Sequence, residues 1–598
     1  MGLQFGAEYG IICGMKMISR FLIVAVICAA VVRGSFAAEK VSLDGVWDFT
    51  FQKGVGLEAT AADFVATDKM MVPGCFDVMP RYYNLRGLAQ YRKVIHLDEA
   101  VAHAYLHVKG MGLQAKFFVD GREVAYSPYA WSTLEIGLGA LGAGRHEIVA
   151  ALDNRITARP EDLFQPHYDF YGSGGFYHGI DLVTYTRAAE ISRVYVRTMD
   201  YRTGKVELEL GFVGEAPKGK ELKARVAFDE GAAQEILFED GKAVVSVPNF
   251  KLWSPEAPNL HWVKVAAEGL GEKSERFGIR EIKTDGKKIL LNGKELYLLG
   301  VNRHESHPEF GYATGKPLMM EDVQIIKDLG CNYVRGSHYP QTEDFLDLCD
   351  ESGLMVWEES LGWGNWEVNL TNEVFCARQI EQTRMMVRNS FNHPSIIFFG
   401  FLNENGSSTL PGKELIRRLC ETIRAERSGR LVTWACHQVM SHDLGNEFTD
   451  VMAYNAYPGW INEPDPVDNA TLVKACVDAT TANVTTLRKD FGNKPIIVAE
   501  MGTCGIYGHH DRGGAQWTEE FEAEWLDAAI NAVFANKEVV GFTIWQYADT
   551  RSYFRGGSSI RGKPFAMNLA GVVDGYRREK LATGVVRKLF KAKAAERK

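Results

Sequence analysis

The alternation of apolar and polar positions changes character near residue 280. From Leu43-Asp44-Gly45-Val46-Trp47-Asp48-Phe49 to about Tyr185, short alternating runs are broken by Gly, Asp and Pro, the period-two pattern of half-buried strands. Tyr105-Leu106-His107-Val108 and Ala115-Lys116-Phe117-Phe118-Val119 are two such runs, and Asp120-Gly121 after the second is a hairpin turn. This predicts an all-β sandwich over residues 39–186. Residues 187–282 repeat the style on a smaller scale, with Arg193-Val194-Tyr195-Val196, Val206-Glu207-Leu208-Glu209-Leu210 and Ala243-Val244-Val245-Ser246-Val247 as strands. That length suits an immunoglobulin-like sandwich.

From Glu295 onward, near-continuous apolar runs alternate with amphipathic stretches, the signature of a parallel sheet with helical crossovers. Eight strands are predicted, at 295–301, 331–336, 353–358, 396–402, 431–436, 450–455, 495–499 and 540–545, with helices including 319–329, 373–390, 413–427 and 517–536. Eight such units match a TIM (β/α)8 barrel over residues 283–598 better than an open sheet. No GxGxxG or GxxxxGK follows a strand, so nucleotide binding has no support. The fold expected is therefore multidomain, two β-sandwiches followed by an α/β barrel.

In such a barrel the strand C-termini share the face that carries chemistry. Here they end in Asn302-Arg303-His304-Glu305, Ser337-His338-Tyr339, Glu358-Glu359, Asn403-Glu404, His437, Asn455-Ala456-Tyr457, Glu500 and Trp545-Gln546-Tyr547-Ala548-Asp549. Two strand-end glutamates can serve a retaining glycosidase, which needs an acid for the leaving oxygen and a carboxylate for the anomeric carbon, about 5–5.5 Å apart. Asn403 can donate to a sugar 2-hydroxyl, and Trp545 offers an apolar platform for a pyranose face. Of Glu358 and Glu359, one is expected to orient neighbours at the site and the other to pair in the barrel wall. His304, His307 and His338 raise a metal-dependent hydrolase as a competing reading, but His304-Glu305-Ser306-His307 misses the HExxH spacing, and no metal or other cofactor is expected. A binding-only sugar protein is the other alternative; it would not need both glutamates.

Composition changes the picture little, with 46% hydrophobic and 24% charged residues. The longest apolar stretch, Phe21 to Val32, follows Lys16 and Arg20 and precedes Ser35-Phe36-Ala37-Ala38. It is too short to span a bilayer, and residues 1–38 read as an export signal, implying a periplasmic or secreted protein with no membrane contact once the leader is removed. Loss of the leader removes three cations and one glutamate and takes the net charge from −9 to −11, which argues against nucleic acid as a partner. The eight cysteines beyond the leader show no CxxC or metal spacing and are read mainly as buried thiols. Gly502 to Gly514 and Arg551 to Gly562 are the expected walls of the site.

Several ordered motifs resemble glycoside hydrolase family 2: Gly300-Val301-Asn302-Arg303-His304-Glu305, Arg335-Gly336-Ser337-His338-Tyr339-Pro340, Asn392-His393-Pro394-Ser395-Ile396, Asn403-Glu404 and Glu500-Met501-Gly502 in the barrel. Trp47-Asp48-Phe49, Val72-Pro73-Gly74 and Gly174-Gly175 are similar to the family's jelly-roll sugar-binding domain, and Phe277-Gly278-Ile279-Arg280 to its entry into the barrel. The resemblance covers nearly the whole chain beyond the leader. It implies a retaining exo-β-glycosidase acting on a glycoside or saccharide substrate, with Glu404 as acid/base and Glu500 as nucleophile, and homo-oligomerisation is possible. It also implies sugar contacts from Asp169, Asn455, Tyr457 and Asn568, joined by His304, His338, Asn403 and Trp545.

The layout is closest to the β-glucuronidase branch, with one departure. Where that branch carries Asn-x-Lys to grip the uronic carboxylate, this chain reads Asn568-Leu569-Ala570. A buried carboxylate without a cation is costly. The expectation is therefore a terminal neutral hexose, β-galactosidase-like. The alternative is a β-glucuronidase or β-galacturonidase in which Arg555, Arg561 or Lys563 replaces the missing cation.

Overall fold

The computed structural model describes residues 39–58, 64–215, 217, 221–459, 469–553 and 563–597. The expected leader, Arg555 and Arg561 lie outside the described residues.

The first sandwich sets a six-stranded against a four-stranded antiparallel sheet. Gly45–Lys53, Gly87–Leu97 and Gly144–Asp153 are central in the larger sheet, and Val101–Val108 and Ile180–Tyr185 in the smaller. Their inward positions bring Trp47, Phe49, Tyr91, Leu106, Phe117 and Ile148 into one core. Gln114–Val119 and Arg122–Ser127 form the expected hairpin, with Asp120 and Gly121 both at positive φ (50° and 78°), as a type I′ turn requires. The second sandwich packs Ala189–Asp200, Lys205–Gly214 and Lys242–Ser246 against a four-stranded sheet around Val194, Leu208, Val226, Val263 and Phe277.

The barrel strands are Leu298–Arg303, Tyr333–Gly336, Met355–Glu359, Ile396–Gly400, a divided fifth strand, Met452–Asn455, Ile496–Met501 and Val539–Ile544, all paired in parallel. The fifth strand was expected to run unbroken but forms two pieces, Leu431–Val432 and Ala435–Cys436. Between them Thr433 bonds its neighbour through the side chain, Oγ1 to the Val451 carbonyl at 3.0 Å. The two pieces occupy the ends of the sheet order, so the sheet closes on itself.

Local chemistry explains the helix starts. Asn372 caps Glu373–Asn389, Thr409 caps Leu410–Ala425 with Pro411 in its first turn, and Thr518 caps Glu519–Ala535. Beneath the rim, buried Asp322 accepts from Arg303, Arg577 and Tyr547. Since a lone charge there would be strongly unfavourable, these groups persist as a unit that ties the C-terminal segment to the first strand. Buried Lys580 does similar work. Its ammonium donates to the carbonyls of Gly505 (2.6 Å) and Leu569 (3.1 Å) and to Asp549 (2.9 Å), pinning two rim loops together. All eight described cysteines are buried and unpaired.

Candidate active site

The site is assembled around an arginine that the strand-end reading passed over. Arg335 lies inside the second strand, fully buried, with its guanidinium over Trp357. It donates to Glu359 twice (2.7 and 3.1 Å), to Glu500 Oε1 (2.6 Å), to Asn302 Oδ1 (2.9 Å) and to Asn403 Oδ1 (2.9 Å). A buried cation must be paired, and these partners come from strands one, three, four and seven. The signal was present in the sequence, because a charge inside the apolar run Tyr333-Val334-Arg335 has no bland use.

Glu500 is 2% exposed and ends the seventh strand. Its second oxygen accepts from the Tyr457 hydroxyl at 2.6 Å. Burial pushes its carboxyl above the usual range and Glu404 adds to this, while Arg335 and His338 act against it. Glu404 accepts from Asn455 Nδ2 at 2.8 Å and from the Trp363 indole at 3.1 Å. Burial raises it as well, opposed by the Asn455 hydrogen bond and the Arg335 charge. The two glutamates therefore differ in their company. Glu500 is held by a direct cation, which favours the ionised form, and Glu404 by neutral donors, which suits a group that must carry a proton.

Asn403 has its oxygen filled by Arg335 and by Asn455 (3.1 Å), while its Nδ2 is buried and without a partner among the described residues. An orphaned donor beside two carboxylates is the arrangement expected for a contact completed by substrate. Leu402 and Glu404 flank it at positive φ, 45° and 55°, a conformation that costs non-glycine residues on the order of 1 kcal/mol or more and turns consecutive side chains toward the barrel mouth.

Burial and the Arg335 charge hold His338 neutral, its pKa pulled down to about 3, and its Nδ1 meets Glu359 at 3.0 Å. The same Nδ1 lies 3.3 Å from an Arg335 guanidinium nitrogen, so His338 is joined to the arginine cluster. His304, also driven neutral by burial, faces the Tyr339 hydroxyl at 3.2 Å through Nδ1. Glu359 is thus the orienting member of its pair, and Glu358, which accepts from the Gln341 backbone at 3.0 Å, the wall member.

Trp545 follows the eighth strand. It is 6% exposed and stacks face to face on His338, centroids 5.4 Å apart, while packing against Leu569 and Ala570. The ring thereby braces His338.

Asp169 reaches the barrel from the first sandwich. Its carboxylate accepts from Ser552 (3.0 Å) and Asn568 (3.2 Å) and pairs with the Lys563 ammonium at 2.6 Å. Its segment is held by a stack in which Arg551 lies 3.8 Å from the Tyr171 ring centre and Tyr553 packs on the same ring. The structure therefore brings Asp169, His304, His338, Asn403, Glu404, Asn455, Tyr457, Glu500, Trp545 and Asn568 to one mouth, and adds Arg335, Glu359, Trp363 and Lys563.

Residues 281–592 match the family model described as the TIM barrel domain of glycosyl hydrolases family 2, and residues 182–280 match a second model of that family. The chain belongs to glycoside hydrolase family 2. It is 26% identical to a β-glucuronidase of Canis lupus familiaris over 589 residues, covering 86% of each chain. Among solved structures it is similar to a family 2 β-galacturonidase from Eisenbergiella tayi bound to galacturonate, with 29% identity, a TM-score of 0.82, and coverage of 93% of this chain and 97% of that one. A Bifidobacterium dentium β-glucuronidase complexed with coumarin-3-O-glucuronide shares the fold at 23% identity, with a TM-score of 0.82 and coverage of 94% and 98%. The family 2 chain is a glycoside hydrolase built from two sandwiches and a barrel.

Proposed function

We propose that this family 2 enzyme is a retaining exo-β-uronidase that releases a terminal β-linked galacturonic or glucuronic acid. The observation that carries this reading is Lys563, whose ammonium stands beside Asp169 and Asn568. The neutral-hexose expectation rested on the absence of a lysine at position 570; Lys563 returns a cation to the same pocket from a different point of the chain. The similarity to glucuronidases and to a galacturonidase supports the same reading.

In the proposed reaction the uronate carboxylate accepts from Lys563 and Asn568, and Asp169 turns to a sugar hydroxyl. Glu500 attacks the anomeric carbon as the glycosidic C–O bond breaks, and Glu404 passes its proton to the departing oxygen. Glu404, now ionised, takes a proton from water, which attacks the same carbon and frees Glu500. Asn403 Nδ2 donates to the 2-hydroxyl and Arg335 keeps Glu500 ionised.

A panel of p-nitrophenyl β-galacturonide, β-glucuronide and β-galactoside tests this. A uronide is the preferred substrate, and Lys563→Met lowers kcat/KM on it by about 100-fold relative to the galactoside, the scale expected when a charge pair loses one member. Preference for the galactoside, with both activities falling equally in Lys563→Met, contradicts the proposal.

A further inference from the structure

We infer that the enzyme has a built leaving-group subsite for a second pyranose ring, formed by Trp366 and His437 on the far side of Glu404. This deepens the glycosidase reading above and rests on Glu404 being the acid.

Glu404 must face the departing oxygen, so whatever lies beyond it meets the leaving group. The sugar-holding groups Asp169, Asn568 and Lys563 stand with the loops near the eighth strand. Glu404 follows the fourth strand, half a turn of the barrel away, and Trp366 packs over Gly406, two residues beyond it. That ring is 47% exposed, although the segment bearing it is tightly tied. Gly364 N donates to the Asn403 carbonyl (2.8 Å), Asn403 N to that of Gly362 (2.9 Å) and Gly406 N to that of Asn365 (2.9 Å). The next turn closes on the Trp366 carbonyl, which accepts from Asn369 N at 2.9 Å and Leu370 N at 3.0 Å. A Cβ at Gly406 would lie 3.4 Å from the indole, so the ring packs directly over this backbone.

Trp366 thus presents an apolar face to solvent from a backbone fixed by these bonds. The His437 ring meets it edge to face, centroids 5.9 Å apart, and follows the Ala435–Cys436 piece of the fifth strand, whose Ala435 carbonyl accepts from Glu404 N at 3.0 Å. The surround is polar. Trp363, three residues before Trp366, has its indole N–H on Glu404 and its carbonyl 3.1 Å from His167 Nε2. Half-exposed Gln438 and exposed Glu367 follow His437 and Trp366 directly in the chain. An apolar face bordered by hydrogen-bonding groups fits a sugar ring, which presents axial C–H bonds on one face and hydroxyls at its edge; a purely aromatic leaving group would use only the first.

The test compares kcat/KM for a β-uronosyl disaccharide, the p-nitrophenyl uronide and the methyl uronide in the wild type, Trp366→Ala and Trp366→Phe. Trp366→Ala lowers the disaccharide-to-methyl ratio about tenfold, and Trp366→Phe restores most of it. An unchanged ratio, or equal losses on all three substrates, overturns the inference, the latter assigning Trp366 to support of the strap beneath Glu404. A selective loss on the p-nitrophenyl substrate alone also overturns it, in favour of an aromatic leaving group. Should the uronide reading fail, the series is repeated on the sugar the panel prefers. The ratio compares leaving groups on one common sugar, so its outcome is independent of which sugar that is.

Discussion

Glu500→Gln lowers kcat by roughly 10⁴-fold while leaving the fold intact. The amide is the same size, and its oxygen still accepts from Arg335 or Tyr457, whose hydroxyl and guanidinium otherwise stand 2.6 Å from the carboxylate. Arg335 keeps both bonds to Glu359, so no buried cation is stranded. What is lost is the attacking lone pair of an anion, and a neutral amide is a poor nucleophile, which is why the effect falls on kcat with little change in melting temperature. Hydrolysis and thermal unfolding measured on the same preparation check this. Residual activity within tenfold of the wild type would remove Glu500 from the nucleophile role.

Arg335→Met has the next largest effect and a distinct signature. On the proposed roles, the acidic limb of kcat/KM against pH reports the group that must be ionised, Glu500, and activity falls as pH drops through its pKa. The basic limb reports the group that must be protonated, Glu404, and activity falls as pH rises through its pKa. Burial pushes both glutamates up, and Arg335 is the largest opposing influence on Glu500. Removing the cation therefore moves the acidic limb to higher pH, by about one to two units for a charge in direct contact, and carries the basic limb up by less, because Arg335 also opposes burial at Glu404 but does not touch it. Since Asn403 and Glu359 also lose their anchor, the maximum drops by roughly 100-fold or more. A pH–rate profile of the variant decides this. An acidic limb that stays in place, or moves to lower pH, contradicts the assigned coupling.

The barrel and both glutamates were legible because buried parallel strands read as apolar runs, and a polar residue that ends such a run can only face the rim. Arg335 carried the same kind of signal one position inside a strand, where the pattern Tyr333-Val334-Arg335-Gly336 shows a charge with nowhere to hide except against partners. The Asp169–Lys563 pair was only half legible. Lys563 could be named as a candidate for the missing cation, but its partner lies 394 residues earlier in the sequence, in another domain, and no local period connects the two. For Trp545, strand-end position fixes where the side chain starts and says nothing of what packs on it, here His338, Leu569 and Ala570. Trp363 and Trp366 were missed since their segment has neither strand nor helix rhythm, and its backbone is fixed by bonds to residues 403–406 that only the folded chain brings near.

The most direct measurement is covalent trapping with a 2-deoxy-2-fluoro-β-uronosyl fluoride, followed by peptide mass mapping. Fluorine at C2 slows both chemical steps, and fluoride is a leaving group that needs little acid help, so the glycosyl-enzyme accumulates. The account predicts one uronosyl adduct per chain, on the peptide carrying Glu500, formed faster than the adduct from the corresponding galactosyl reagent. An adduct on another carboxylate, or labelling by the galactosyl reagent alone, would contradict it.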